Sequence, residues 1–237
     1  MTADGIGRAQ VMRRPLAHYE DPRYLEIGVC EGRTFDRVDA AVRVAVDPEF
    51  RFDHTAAERR VPGTTYHQVT SDEFFGTLVE PAAQFDVIYL DGLHTVEQTL
   101  RDLLNALPHL QPQGVLVIDD VRPPTALASI PDRQEFFDVR GAQDRDDEKA
   151  WMGDVYRLVY FIETFCQQLS FRVIANNHGQ AVVWRRRRAE VPQRGLADVG
   201  AMTFEQMMLD EAALRLAPFG EIVREFRADL GLTRPDP

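Results

Sequence analysis

Two acidic sites in the chain could do chemistry that ordinary surface residues do not. Asp91 closes the apolar run Asp86–Leu90, and Asp119 and Asp120 close the run Val115–Ile118. If those runs are neighbouring strands, three carboxylates emerge at one edge of a sheet. Clustered anions raise one another's pKa and cost stability unless a cation neutralises them. Hard oxygen ligands with room for water suit Mg²⁺. His94 follows Asp91 closely, and an imidazole with a pKa near ~6.5 can take a proton at neutral pH. Taken singly, each acid also reads as a solvated strand end, Asp120 as the cap of a following turn, and His94 as a residue that caps or packs at a helix start. His54, His67, His109 and His178 receive no role.

A second constellation lies earlier. Leu25-Glu26-Ile27-Gly28-Val29-Cys30-Glu31-Gly32 follows an apolar run and precedes a helix expected to start near Arg33. Glycines there let the backbone turn sharply and let a ligand lie against main-chain atoms. The spacing, Glu-x-Gly-x-x-x-Gly, lacks the Gly-x-Gly-x-x-Gly of a dinucleotide fingerprint. On its own it also reads as a plain strand-to-helix turn. Asp47 ends the next run, where it could accept hydrogen bonds from ribose hydroxyls. Ser71 and Asp72 follow the third run, where polar groups can meet an adenine ring.

The elements that must position these residues alternate between short β-like runs and amphipathic helical ones, the pattern of a doubly wound parallel α/β sheet. The expected strands are Tyr24–Ile27, Val42–Val46, Thr65–Thr70, Asp86–Leu90 and Val115–Ile118. They are apolar, as strands covered on both faces must be. A helix after Asp91 puts Val96, Leu100, Leu103, Leu104 and Leu107 on one face, and Gln111–Gly114 breaks it. Regular patterning disappears from Val121 to Trp151, a stretch long enough to be a lid or binding loop. It resumes in a helix through Val155, Leu158, Val159, Ile162 and Phe165. Phe171–Ala175 and Gln180–Trp184 flank the turn Asn176-Asn177-His178-Gly179, an antiparallel hairpin that completes seven strands. Ala189–Gly200 reads as a linker. A helix from Thr203 to Leu216 opens on a Thr203/Gln206 capping box, and another from Pro218 stops at Gly231. The reading is therefore a domain over 1–188 with a helical C-terminal extension over 189–237.

From Glu26 to about Asp120 the chain resembles the class I S-adenosylmethionine-dependent methyltransferases, which are Rossmann-like. Leu25-Glu26-Ile27-Gly28 with Gly32 is similar to the glycine loop of catechol O-methyltransferase. Phe85–His94 with Gly114–Asp120 is closer to the macrolide-sugar O-methyltransferases of the macrocin type. The resemblance implies that Glu26, Gly28, Gly32 and Thr34 surround the methionine part of S-adenosylmethionine, with Asp47 on the ribose and Ser71-Asp72 near the adenine. It also implies Mg²⁺ on Asp91, Asp119 and Asp120, and His94 as the base that deprotonates an acceptor hydroxyl. A valine at Gly28 is expected to fill the methionine site while sparing the fold. The motif Trp151-x-Gly153-Asp154-Val155 is familiar from bacterial relatives and carries no assigned role.

Composition narrows the partners. With 38 acids against 27 bases the net charge is −11, which disfavours nucleic acid. The run Arg185–Arg188 reads as a solvated strand exit. Cys30 and Cys166 are too few and too far apart for a disulfide framework or a metal motif, which suits a reducing cytoplasm, and both read as buried packing residues. No segment is long and apolar enough to span a membrane. The expected partner is a small molecule with vicinal oxygens, such as a sugar diol or a catechol. The apolar faces of the last two helices need cover from the main domain or from a second copy of the chain. A metal-independent methyltransferase, a nicotinamide-binding protein and a noncatalytic nucleotide-binding fold stay open as alternatives.

Overall fold

The computed structural model describes residues 5–234. Its elements run α1 (Arg8–Leu16), β1 (Arg23–Ile27), β2 (Val42–Val46), α2 (His54–Arg60), β3 (Thr64–His67), α3 (Ser71–Glu73), β4 (Phe85–Leu90), α4 (Val96–Ala106), β5 (Leu110–Ile118), α5 (Arg133–Ala142), α6 (Tyr156–Phe165), β6 (Leu169–Val173), β7 (Ala181–Arg185), α7 (Leu196–Gly200), α8 (Phe204–Leu209) and α9 (Phe219–Leu230). One seven-stranded sheet has the order β3-β2-β1-β4-β5-β7-β6. The first five strands are parallel, and β7 pairs antiparallel with both β5 and β6. Strand order reverses between β1 and β4, so the crevice outside their carboxyl ends is where such a sheet takes a ligand.

Alternation along the central strands divides the core in two. Tyr24, Val87, Tyr89, Val115 and Val117 face α1 and α9, which contribute Val11, Met12, Ile222 and Phe226. Leu25, Ile88, Leu90, Leu116 and Ile118 face α4 and α6, which contribute Leu103, Val159 and Ile162. Successive strand residues point to opposite faces, and helices cover both sides, so nearly every position in these strands is apolar.

Several expectations change on the structure. The helix expected near Arg33 is a single 3₁₀ turn, Phe35–Arg37. Phe35 and Val38 are drawn fully into the core beneath the sheet, leaving too little chain before β2 for a longer helix. The third strand stops at His67, because the Thr70 side chain accepts from Glu73 N and caps α3 instead. The unpatterned stretch holds α5, capped by Asp132 on Glu135 N. Its only buried residue is Phe136, too little for an apolar stripe. The helix expected through Leu216 is α8 followed by a 3₁₀ turn, Glu211–Leu214, although the Thr203/Gln206 box forms in both directions.

Cys30 is exposed rather than buried, because its backbone turns through φ 49° at the loop after β1. Arg188 is not solvated either. Its guanidinium donates to the carbonyls of Ile162, Glu163, Cys166 and Leu169, closing the carboxyl end of α6. Ile162 O and Cys166 O already accept from Cys166 N and Leu169 N, so the guanidinium adds a second donor to each. The last helix, α9, lies on the sheet: Phe219, Ile222, Val223 and Phe226 are buried in the same core as Trp184, whose indole donates to Asp229. Among the described residues, no helix is long and apolar enough to cross a membrane.

Candidate active site

The carboxyl ends of the central strands are tied level by main-chain bonds. Gly28 N donates to Val46 O, Asp91 N to Ile27 O, and Asp119 N to Leu90 O, at 2.8 to 3.0 Å. Above them opens a cleft of about 520 Å³ whose walls include Gly28, Asp47, Ser71, Asp91, His94 and Trp151. That volume lies within the ~300–1,000 Å³ usual for small-molecule sites.

Of the residues expected around a cofactor, Gly28, Asp47, Ser71 and Asp72 line the cleft, while Glu26, Gly32 and Thr34 lie behind it. Asp47 uses both carboxylate oxygens on the loops beside it, accepting from Cys30 N at 2.8 Å and Glu49 N at 2.7 Å. Gln98 of α4 sets the Ser71–Asp72 end. Its amide nitrogen stands 3.1 Å from Ser71 Oγ, 3.2 Å from Asp72 Oδ1 and 3.0 Å from Asp102 Oδ1. Glu26 is 1% exposed. Tyr24 donates to it at 2.5 Å, yet burial dominates and pushes its pKa up to about 8.

Gly28 is required for a different reason than expected. At φ 89° a Cβ would stand 1.9 Å from Asp91 O, inside the backbone that follows β4. A valine there disrupts the junction of β1 and β4 rather than filling a ligand site in an intact fold.

The three strand-end carboxylates have separate surroundings. Asp119 is buried and fully engaged. Arg8 Nε stands 2.5 Å and the Tyr89 hydroxyl 2.6 Å from Oδ2, and His178 Nε2 stands 2.7 Å from Oδ1. Burial opposes its charge, but these donors outweigh burial and hold its pKa well below the usual carboxylate range. Asp120, in the left-handed region at φ 60°, turns the other way and meets His94 Nδ1 at 2.8 Å. Asp91 lies between them, 3.8 Å from Arg8 Nε and 4.0 Å from His94 Nε2. Burial and the neighbouring carboxylates raise the pKa of both Asp91 and Asp120. One donor atom each from Asp91, His94 and Asp120 lies within 4.8 Å of the other two, a set able to hold a cation.

His94 is held on several sides. Its Nδ1 also reaches Trp151 O at 2.9 Å. Both partners of Nδ1 are acceptors, so the neutral ring carries its proton there and leaves Nε2 basic. The Trp151 indole stacks on the imidazole at 4.9 Å and 3°. Burial lowers the pKa of His94, but the bond and charge of Asp120 prevail and raise it.

Arg8, Tyr89, Gln98, Trp151 and His178 were not singled out from the sequence as part of this site. A signal for His178 existed. Strand β7 is antiparallel and Ala181 pairs with Ile118, so the turn before β7 must lie at the carboxyl edge of β5. Arg8 and Gln98 gave no comparable sign.

Residues 25–121 match the family model described as a methyltransferase domain. No curated protein matches the chain significantly. Among solved structures, the fold is similar to the O-methyltransferase TomG from Streptomyces achromogenes, involved in tomaymycin synthesis and solved with SAM. The TM-score is 0.51 at 17% identity, over 78% of this chain and 83% of that one. The SAH-bound methyltransferase PaMTH1 of Podospora anserina gives 0.45 at 16% identity, over 70% and 72%. The matched methyltransferase domain spans the parallel strands of the seven-stranded sheet, and the reversed last strand completes a fold similar to that of TomG.

Proposed function

We propose that the protein is an O-methyltransferase acting on a hydroxyl of a small molecule with vicinal oxygens, such as a sugar diol or catechol in natural-product tailoring. The observation that carries this reading is that Asp91 and His94, in the wall of the cleft that Gly28, Asp47 and Ser71 also line, meet the buried Asp120. Loop, strand ends and cleft volume fit S-adenosylmethionine, with Asp47 toward the ribose, Ser71 and Asp72 toward the adenine, and Glu26, Gly32 and Thr34 supporting the loop from behind. Asp91 and Asp120 fit Mg²⁺, being oxygen donors whose mutual repulsion a cation relieves; Asp119, the third carboxylate expected to bind it, is taken up by Arg8, Tyr89 and His178.

When bound, these groups supply a methyl on a sulfonium and a charge that lowers the pKa of an acceptor hydroxyl. His94 takes the acceptor's proton on Nε2, and Asp120 on Nδ1 stabilises the imidazolium. Trp151 and Leu93 wall the acceptor side, where fixing the line of attack contributes much of the acceleration. A metal-free mechanism at the same site is favoured by one observation: Arg8 already brings a fixed positive charge to the carboxylates.

Methyl transfer from labelled S-adenosylmethionine to a panel of diols and catechols, with and without EDTA, tests the reading. His94→Ala should keep cofactor binding by calorimetry and lose roughly 10²–10⁴-fold in rate. An undiminished rate rejects His94 as the base. Full turnover after exhaustive chelation selects the metal-free mechanism.

A further inference from the structure

The structure points to a role for Arg8 at the metal end of the site. We propose that Arg8 is a built-in counter-cation that keeps Asp119 out of the coordination shell and sets how tightly a divalent ion binds between Asp91 and Asp120. The proposal rests on the metal reading above.

Arg8 reaches the cluster from a firmly docked element. In α1, Val11, Met12, Pro15 and Leu16 are buried. The chain just before the helix is tied to the hairpin turn by Ile6 N on Asn176 O at 3.2 Å. The first residue of α1 is thereby delivered beside the turn that carries His178. Its guanidinium lies 2.5 Å from Asp119 and 3.8 Å from Asp91, and it stays charged at any working pH. With Arg8 and Tyr89 on one oxygen and His178 on the other, Asp119 has a donor on each oxygen and falls outside the set formed by Asp91, His94 and Asp120. Three carboxylates less one guanidinium leave two negative charges, the number a divalent ion neutralises. A fixed positive charge a few ångströms away also repels that ion, by enough to weaken binding roughly ten-fold or more inside a protein.

Mn²⁺ binding to the full chain, read by electron paramagnetic resonance and calorimetry without any acceptor, separates charge from ligation. Arg8→Gln should bind Mn²⁺ at least ten-fold more tightly than the unmodified protein, and Arg8→Lys about as tightly. Asp119→Asn should bind more weakly, because Arg8 then goes uncompensated. The double variant Arg8→Gln/Asp119→Asn loses one charge of each sign and should return to near the original affinity. If Asp119 is a ligand, the double variant stays as weak as Asp119→Asn, and the proposal fails. It fails equally if Arg8→Gln is unchanged or weaker, while the metal reading survives. Should Arg8→Gln lose its fold by circular dichroism, the double variant decides, since it removes the charge of Asp119 together with that of its partner. If no form of the protein binds Mn²⁺, the metal reading falls and the proposal with it.

Discussion

Glu26 shows what the site demands of single residues. An acid with almost no water around it is held nearer its neutral form, and its pKa rises from 4.5 to about 8. Between those values the folded protein keeps a proton that the unfolded chain has released, so stability falls as pH rises. The slope from this group approaches about 1.4 kcal/mol per pH unit and levels off above the folded pKa. Glu26→Gln should remove that slope, making the variant relatively more stable at pH 8.5 than at pH 5.5. Urea denaturation of both proteins across this range measures the difference, and parallel curves would contradict a buried neutral carboxyl. The glutamate itself was visible in the sequence as part of the glycine loop, but its neighbour Tyr24 and its lack of solvent were not, because both depend on what packs beneath β1.

Among the elements, the segment between β5 and α6 gains most from the structure. Trp151 is anchored by its indole on Ile130 O and stacks on His94. Gly153 passes His94 so closely that a Cβ would fall 1.7 Å from His94 O. Asp154 accepts from Val96 N at 2.8 Å, steadying the start of α4 just beyond the histidine. Together these contacts explain why tryptophan, glycine and aspartate stand at short spacing here. Gly153→Ala should cost about 1–3 kcal/mol through its left-handed φ of 58° and the clash. Gly141→Ala, inside α5 with nothing within 4 Å of the new Cβ, should instead stabilise by about 0.5–1 kcal/mol. Denaturation midpoints of the pair check the contrast, and equal effects would remove the packing argument for the motif.

For the molecule as a whole, the helices after Arg188 complete the core of the sheet. Burying Phe219, Ile222, Val223 and Phe226 contributes about 1.5–3 kcal/mol each, together comparable with the whole stability of a domain, about 5–15 kcal/mol. Further ties run from Arg172 to Glu225 and from Ala217 N to Val173 O. Truncation after Arg188 should therefore abolish cooperative unfolding, with loss of the near-ultraviolet signal of Trp184 and binding of a hydrophobic dye. A truncated chain that melts cooperatively at the original temperature would show that the sheet needs no such cover. The apolar faces of these helices were readable from periodicity. That α9 shares the core with α1, from the opposite end of the chain, was not.

What the sequence determined by itself is what acts over a few residues. The apolar strand runs, the reversing hairpin at Asn176–Gly179, the Thr203/Gln206 box and the stop at Gly231 follow from local periods, caps and turn preferences. The acids at the ends of β4 and β5 were legible for the same reason, since a charged residue ends an apolar strand where the strand leaves the core. The partner each acid takes was left to the tertiary structure. Asp119 and Asp120 are adjacent in the chain, yet successive strand-end residues face opposite sides of the sheet. Asp119 meets Arg8, Tyr89 and His178 on one side, and Asp120 meets His94 on the other. Arg8 comes from the first helix and His178 from the last hairpin, and no local pattern encodes contacts across that separation. Only the packing of α1 and β7 against β5 brings them to the same carboxylate, because a buried charge is tolerable only where the fold supplies its partners.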